Sequence, residues 1–509
     1  MEHIISYDLG TGGTKASLFT ADGRTAAQAF VPCETYYPEK DFREQRPDDW
    51  WCMVVESTKA LFGRCPVDKN SIRAIAVSGH SLGVVPLSAE GRLLADSVPI
   101  WSDARAGAQA AEVFTRIDEE DWYMKTGNGF PAALYSVFKI LWYKQMMPEL
   151  YAGADKFIGT KDYVNFKMTG RMATDHSYAS GCGAYDLENG RYDRQILSTA
   201  GVDPGKMPEI LNSTDILGGL SEAAAAELGL PGGLSVVCGG VDNACMAAGA
   251  GCIGEGDSYT SLGTSAWIAV SSSKPIVDPK RRPYVFAHLL PGRFVSATAI
   301  FSAGNSFKWV RDVLCGNLVE ASRRGEGDIW TLMTSLAETS APGANKLIFN
   351  PSLAGGSSLD ESVNIRGAFC GLDLGHGQAD IIRSAMEGIS LNLRIAMDVL
   401  AEYTELSSDM MLVGGGGKST FWRQLFADIY GKNILRSRVE EDAGALGAAA
   451  AAAVGCGLWR DFSPLAEINE RIGVNTPDGK AVSFYNRMLE PFRAVCSYQS
   501  AVCELMLSI

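Results

Sequence analysis

His3-Ile4-Ile5-Ser6-Tyr7-Asp8-Leu9-Gly10-Thr11-Gly12-Gly13-Thr14-Lys15 is a strand that breaks into a Gly/Thr turn, and a shorter version, Ser261-Leu262-Gly263-Thr264-Ser265, recurs in the other half of the chain. A second strand resumes after each turn, Ala16-Ser17-Leu18-Phe19 in the first case and Trp267-Ile268-Ala269-Val270 in the second. Glycine permits positive φ and close backbone approach, so such turns can aim several N–H groups at one anion. One Gly-rich hairpin alone is a tight turn. Two in one chain predict two related domains pinching a polyphosphate.

The chain has 509 residues, enough for two or more domains, each with its own core. A hydrophobic content of 46% and a charged content of 20% describe an ordinary globular protein. The net charge of −14 excludes nucleic acid as the main partner, since that needs a basic surface. A phosphorylated ligand is still compatible, held by backbone amides and Mg²⁺. The twelve cysteines show no Cys-x-x-Cys spacing and the five histidines no His-x-x-x-His pair, so no zinc site is expected. Scattered free thiols fit a reducing cytosol. No basic region followed by an apolar core precedes the first strand, which reads as a cytoplasmic protein.

One stretch imitates a membrane span: 443–459 carries no charge and Ala448 to Ala453 are six consecutive alanines. It falls short of the roughly 20 strongly apolar residues a span requires. The better reading is a small-residue helix packed tightly on a sheet. Elsewhere strands and helices alternate in α/β fashion. Pro47-Asp48-Asp49 opens a helix, with acidic residues at its positive end. Buried strands run into Gly79-His80-Ser81-Leu82-Gly83, Trp101-Ser102-Asp103-Ala104-Arg105, Gly239-Gly240-Val241-Asp242-Asn243 and Gly414-Gly415-Gly416-Gly417. The last run continues Lys418-Ser419-Thr420, but a Walker A loop needs a glycine six residues before the lysine, where Leu412 stands. A glycine loop there can still let a flat adenine approach the backbone.

These pieces, in this order and over nearly the whole chain, resemble the FGGY carbohydrate kinases of the actin-like ATPase superfamily. DLGTGGTK (8–15) is similar to the first phosphate motif and SLGTS (261–265) to the second. LVGGGGKSTFWRQLFADIYG (412–431) is similar to the adenosine motif, GALGAAAAAA (444–453) to the connecting helix and GAFCGLDLGHGQADIIRSAMEGI (367–389) to the C-terminal signature. A second signature, Ser136 to Trp142, keeps its Ser, Lys and Trp spacing, with Tyr143 in place of an aliphatic residue. Within the family, GGVDN, WSDAR and DIIRSAMEGI look most like xylulokinases. The resemblance implies an α/β fold of two duplicated ribonuclease-H-like domains with an interdomain cleft. Residues 1–245 would carry the sugar and the first phosphate turn, and 246–509 adenosine and the second.

Phosphoryl transfer needs charge neutralised on the γ-phosphate, an in-line hydroxyl and an acceptor for its proton. The resemblance makes Asp242 that acceptor, an ordinary aspartate with a reference pKa of about 3.9. As a strand-end residue it can also cap the following helix. Asp8 would orient Mg²⁺ through its water shell, or bond the glycines after it in an Asx turn. Thr11, Gly12, Gly13 and Thr14 would offer donors to ATP phosphates, as would Gly263 and Thr264. Strand alternation leaves Lys15 facing phosphate or solvent. Gly304 would contact nucleotide, with Gly415, Gly416 and Ser419 against adenosine.

The substrate residues depart from the family. Xylulokinases carry Gln-Met-His where this chain has His80-Ser81-Leu82, and Gly-Glu-Arg-Thr-Pro where it has 355–359. Residues two apart in extended chain point the same way, so His80 is a substitute for the missing histidine, or a structural histidine. Trp101 would be an apolar wall for the sugar, Asp103 a hydroxyl ligand or Arg105's ion partner, and Asn243 a sugar contact beside Asp242. Xylulose leads, with ribulose, a hexulose, glycerol or a tetritol as alternatives and a second copy of the chain as a candidate partner. An actin- or chaperone-like switch without a sugar acceptor is the rival reading, and GGVDN and WSDAR argue against it. A sugar-binding regulator that has lost catalysis is the third, weighed down by the retention of Asp8, Thr264 and Asp242.

Overall fold

The computed structural model describes residues 2–437, 439, 442–469 and 471–509. The chain folds as two compact units, and neither is one continuous segment: the first comprises 1–255, 271–296 and 442–469, the second 256–270, 297–441 and 470–509. Residues 271–296 and 442–469, which follow the expected cut at 245/246, lie in the first unit.

At the centre of the first unit lies the strand His3–Gly10, whose apolar residues alternate with Ser6 and Asp8. It pairs antiparallel with Gly13–Thr20 across the two-residue turn Thr11-Gly12, which sets Asp8 opposite Lys15 and Gly10 opposite Gly13. Thr25–Pro32 extends the sheet antiparallel on that side. On the other side Ile72–Gly79 and then Ser235–Val241 add in parallel, and Ile216–Gly219 closes the edge antiparallel. The helix Pro47–Arg64 starts with Pro in its first turn, carries Asp48 and Asp49 at the positive end and Arg64 at the negative end, and buries Trp50, Val54 and Leu61 against the sheet.

The second unit repeats the plan. Ser258–Leu262 pairs antiparallel with Ala266–Ser272 across a Gly/Thr/Ser turn, then in parallel with Asp409–Val413, which pairs in parallel with Asn433–Ser437, and Arg471–Asn475 closes antiparallel. A central strand with a hairpin on one side and parallel strands on the other is thus built twice.

The alanine run is the helix Ala443–Gly455, which packs on the helix Asp242–Gly249 and on four strands of the first sheet. Contact here is backbone to backbone: a Cβ at Gly447 would lie 1.9 Å from the Cys245 carbonyl oxygen, and one at Gly249 1.8 Å from that of Ala443. Small side chains are the condition of the fit, which is why 448–453 are alanine and fully buried. Gly447→Val should therefore lower the melting temperature by several degrees or abolish soluble expression, as overpacking at about 3 kcal/mol does. Ala448→Gly should cost about 1 kcal/mol, the helix propensity alone. A Gly447→Val protein melting within 2 °C (about 1 kcal/mol or less) of the parent would contradict this packing.

Candidate active site

The parallel strands of the first sheet deliver two carboxylates at their C-terminal ends. Asp8 sits beside the first turn, and Ser78 from the neighbouring strand donates its hydroxyl to Asp8 Oδ1 at 2.9 Å. The helix Ala443–Gly455 reaches this carboxylate so closely that a Cβ at Gly444 would stand 3.2 Å from Asp8 Oδ1. Asp242 follows the strand Ser235–Val241 and is the first residue of its helix, not the cap, which is Val241. Asp242 Oδ1 accepts from the Asn243 N–H at 2.8 Å and Asn243 Nδ2 at 3.1 Å. Its other oxygen makes no hydrogen bond among the described residues.

Asp242 is not an ordinary aspartate. Burial, then the like charge of Asp8, pushes its carboxyl up to about 7, against the bonds from Asn243. Burial also raises Asp8, which Lys15 and Ser78 partly offset. Lys15 pairs with Asp442 at 2.9 Å. The strand Tyr284–Ala287 packs on the Asp242 helix, and Asp242's charge acts on the Tyr284 phenol, which stacks on Phe130 at 4.3 Å.

Several expected contacts stand differently. In the first turn Thr11 and Gly12 are open, whereas Gly13 and Thr14 are buried, and Thr14 Oγ1 is closed off without a partner. Gly13 is needed for the turn itself, since at φ 149° a Cβ would lie 2.3 Å from the Val31 carbonyl oxygen. Asp103 has no oxygen left for a sugar: it is fully buried and accepts from the Arg43 N–H and from the Arg105 N–H, Nε and Nη2. Its expected sugar role gives way to the ion pair. His80 is also buried, edge-on to Trp50 with ring centroids 5.7 Å apart, and both ring nitrogens are enclosed and unpaired. Its ring is enclosed rather than open to a sugar, and the Ser81 backbone acts on it. Trp101 is half-exposed and donates its indole N–H to Thr11 Oγ1 at 2.8 Å, tying the segment 100–105 to the first Gly/Thr turn.

In the second unit Gly263, Thr264, Gly304, Gly415, Gly416 and Ser419 line one cavity of about 640 Å³. The turn at Gly263 is held by Gly304, whose N–H donates to the Gly263 carbonyl at 3.0 Å and whose Cβ, if present, would lie 2.2 Å from that oxygen. Gly415–Lys418 is one short 3₁₀ turn, and the Ser419 hydroxyl caps the next helix at the Trp422 N–H. Trp330 and Phe307, which sequence reasoning missed, stack 5.7 Å apart on the cavity wall. The signal available was Asp328, a helix cap two residues before a half-exposed tryptophan.

Residues 3–249 match the N-terminal domain of the FGGY family of carbohydrate kinases, and residues 258–456 match its C-terminal domain. The chain belongs to this family. It is a carbohydrate kinase that uses ATP. A xylulose kinase of Bacillus subtilis (strain 168) is 28% identical over 92% of this chain and 91% of its own. A gluconokinase of Bacillus licheniformis is 27% identical over 96% of this chain and 94% of its own. The crystal structure of a xylulose kinase from Rhodospirillum rubrum superposes with a TM-score of 0.89 at 26% identity, covering 99% of this chain and 100% of that one. No described helix of the kinase is long and apolar enough to cross a membrane.

Burial holds the His80 imidazole down at about 4, below the ordinary value of about 6.5. Between these values the unfolded chain binds the extra proton, so the stability His80 contributes is present above about 6.5 and lost as pH falls toward 4. His80→Met should flatten the fall in melting temperature between pH 7 and pH 5. A tenfold rise in sugar KM with an unaltered melting curve would instead return His80 to the sugar site.

Proposed function

We propose that this kinase transfers the γ-phosphate of ATP to a hydroxyl of D-xylulose, with Asp242 accepting the proton. The observation that carries the reading is Asp242 itself: one oxygen is fixed by Asn243, the other is uncommitted, and the carboxyl is raised to about 7. An acceptor with that value matches a proton released near neutral pH better than an ordinary aspartate does. The sugar oxygen forms a bond to the γ-phosphorus, the bond to the β-phosphate oxygen breaks, ADP leaves, and the proton passes to Asp242. Asn243 holds the carboxylate in one rotamer, so its free oxygen is already aimed. Trp101 and Ser81 supply the sugar-side surface of the first unit, and Thr11 and Gly12 the open donors of the first phosphate turn.

Asp8, with Asp242 beside it, fits a magnesium ion: two carboxylates that repel one another are the complement of a dication. When bound, Mg²⁺ supplies positive charge against the phosphate oxygens. Among the described residues no group of three or more His, Cys, Asp or Glu could hold a metal alone. In the second unit Gly263 and Thr264 serve phosphate, and Gly415 and Gly416 let adenosine approach. Trp330 forms an aromatic wall for the base. All twelve cysteines are free thiols, which supports a cytoplasmic site of action.

D-Gluconate is the second reading. A gluconokinase is as similar as the xylulose kinases are, and His80-Ser81-Leu82 departs from the xylulokinase pattern. ADP release with D-xylulose, D-gluconate, D-ribulose, a hexulose, glycerol and erythritol decides between them. D-Xylulose should give the highest kcat/KM by at least tenfold, and equal ADP release without any sugar would refute a sugar kinase.

Asp242→Asn should lower kcat at least a hundredfold, about 2.7 kcal/mol of barrier, while ATP and sugar still bind. More than a tenth of the parent kcat would remove Asp242 from the proton-acceptor role. Trp330→Ala should raise the KM for ATP about tenfold, on the scale of one lost aromatic stack at about 0.5–1.5 kcal/mol with the burial that goes with it. The sugar KM should stay within twofold, and the reverse pattern would move the base to another wall.

A further inference from the structure

One motif takes no part in that chemistry: the signature Ser136 to Trp142 in the helix Ser136–Met146. This helix buries Lys139 completely, and its ammonium has no carboxylate partner among the described residues. Lys139 Nζ instead donates to two backbone carbonyls, Ile100 at 2.7 Å and Leu82 at 3.2 Å. These carbonyls belong to different loops. Leu82 stands in the stretch 79–83 at φ 61°, a left-handed backbone that a leucine keeps only where its surroundings hold it. Ile100 directly precedes Trp101, whose indole reaches Thr11 of the phosphate turn. One turn along the helix, the Trp142 ring faces the Arg105 guanidinium at 4.8 Å, and Arg105 in turn holds Asp103.

We infer that Lys139 is a positioning residue: its buried ammonium clamps the loop 79–83 to the segment 100–105 and so fixes where Ser81 and Trp101 meet the sugar. The sugar half of this statement rests on the proposed function, whereas the clamp itself does not. A buried ammonium bonded only to carbonyls is an expensive device unless it holds something in place, and here it holds the loop 79–83, which departs from the xylulokinase pattern, to the segment 100–105, which keeps it.

Burial pulls Lys139 down to about 7, with Asp103 supporting its charge and Arg105 opposing it. The groups facing it are few. His80 comes from the first loop and is kept neutral by burial. Asp103 and Arg105 come from the second, paired with each other and, through Arg105, with Glu44 at 2.6 Å. The helices packed on this one, Gly107–Val113 and Pro148–Gly153, bring Glu112, taken up by Arg116 and Gln145, and the exposed Glu149. As the ammonium becomes an amine above neutral pH, its two bonds lose their charge assistance and the clamp slackens.

The test is hydrogen–deuterium exchange of the full chain, without sugar, for the parent, Lys139→Met and Lys139→Arg, alongside kinetics with D-xylulose and ATP. Lys139→Met should speed exchange at least tenfold in both 79–83 and 100–105 and leave His3–Gly10 unchanged. It should raise the KM for D-xylulose at least fivefold with the KM for ATP within twofold. In the parent, loop protection corrected for intrinsic exchange should fall between pH 6 and pH 8.5, and Lys139→Arg, which stays charged, should lack that step. Unaltered exchange in both loops, or a rise spread evenly over the first unit, overturns the clamp. Should Lys139→Met not fold, the parent's pH step decides, and its absence overturns the proposal. If D-xylulose is not turned over by the parent, the substrate reading fails while loop exchange still judges the clamp.

Discussion

The backbone contact between two short helices is the constraint on which the first unit's chemistry depends. Gly249 and Gly447 let Asp242–Gly249 and Ala443–Gly455 approach until carbonyl oxygens occupy the space of absent side chains. Asp242 is the first residue of one of these helices, and Gly444, near the start of the other, touches the Asp8 carboxylate. Both acids are partly enclosed there, and burial is the largest cause of their raised values. Packing and acid–base chemistry are here one arrangement: the tightness that demands glycine also makes Asp242 a stronger base than a solvated aspartate.

Much of this was legible in the sequence because the signals were local. A strand ending in Asp and breaking into Gly and Thr fixes both the turn and the carboxylate beside it, and the recurrence of the turn gives the duplication. The charge-free run of small residues likewise reads as a tightly packed helix. Burial and partner choice were not legible, because they are set by residues distant in sequence. Thr14 looks like a phosphate donor, yet pairing with Val31 draws it inside the sheet. Asp103 looks like a sugar ligand, yet the Arg43 N–H, 60 residues away, completes its shell. His80, in a loop, faces Trp50 of the helix Pro47–Arg64, 30 residues earlier. Lys139 shows best how a motif can be recognised while its work stays hidden, since its partners are carbonyls and carry no side-chain signature.

The two units divide the labour by type of interaction. The first gathers charge around its Gly/Thr turn: two acids, Lys15 against Asp442, and an indole tied to Thr11. The second lines its cavity with bare backbone and aromatic surface, Gly415 and Gly416 together with the Phe307–Trp330 stack. Glycine serves opposite ends in the two places, close helix packing in one and an open cavity wall in the other.

The interrupted course of the first unit has a consequence for how the chain is made. Its central sheet is complete in sequence by residue 241, but the helix that covers one face of that sheet is not synthesised until residue 455. At about 5–20 residues per second, the half-built unit waits roughly 10–40 s on the ribosome with that face uncovered. Throughout this interval the face that carries Asp8 stays open, and the helix 443–455 is the segment that closes it.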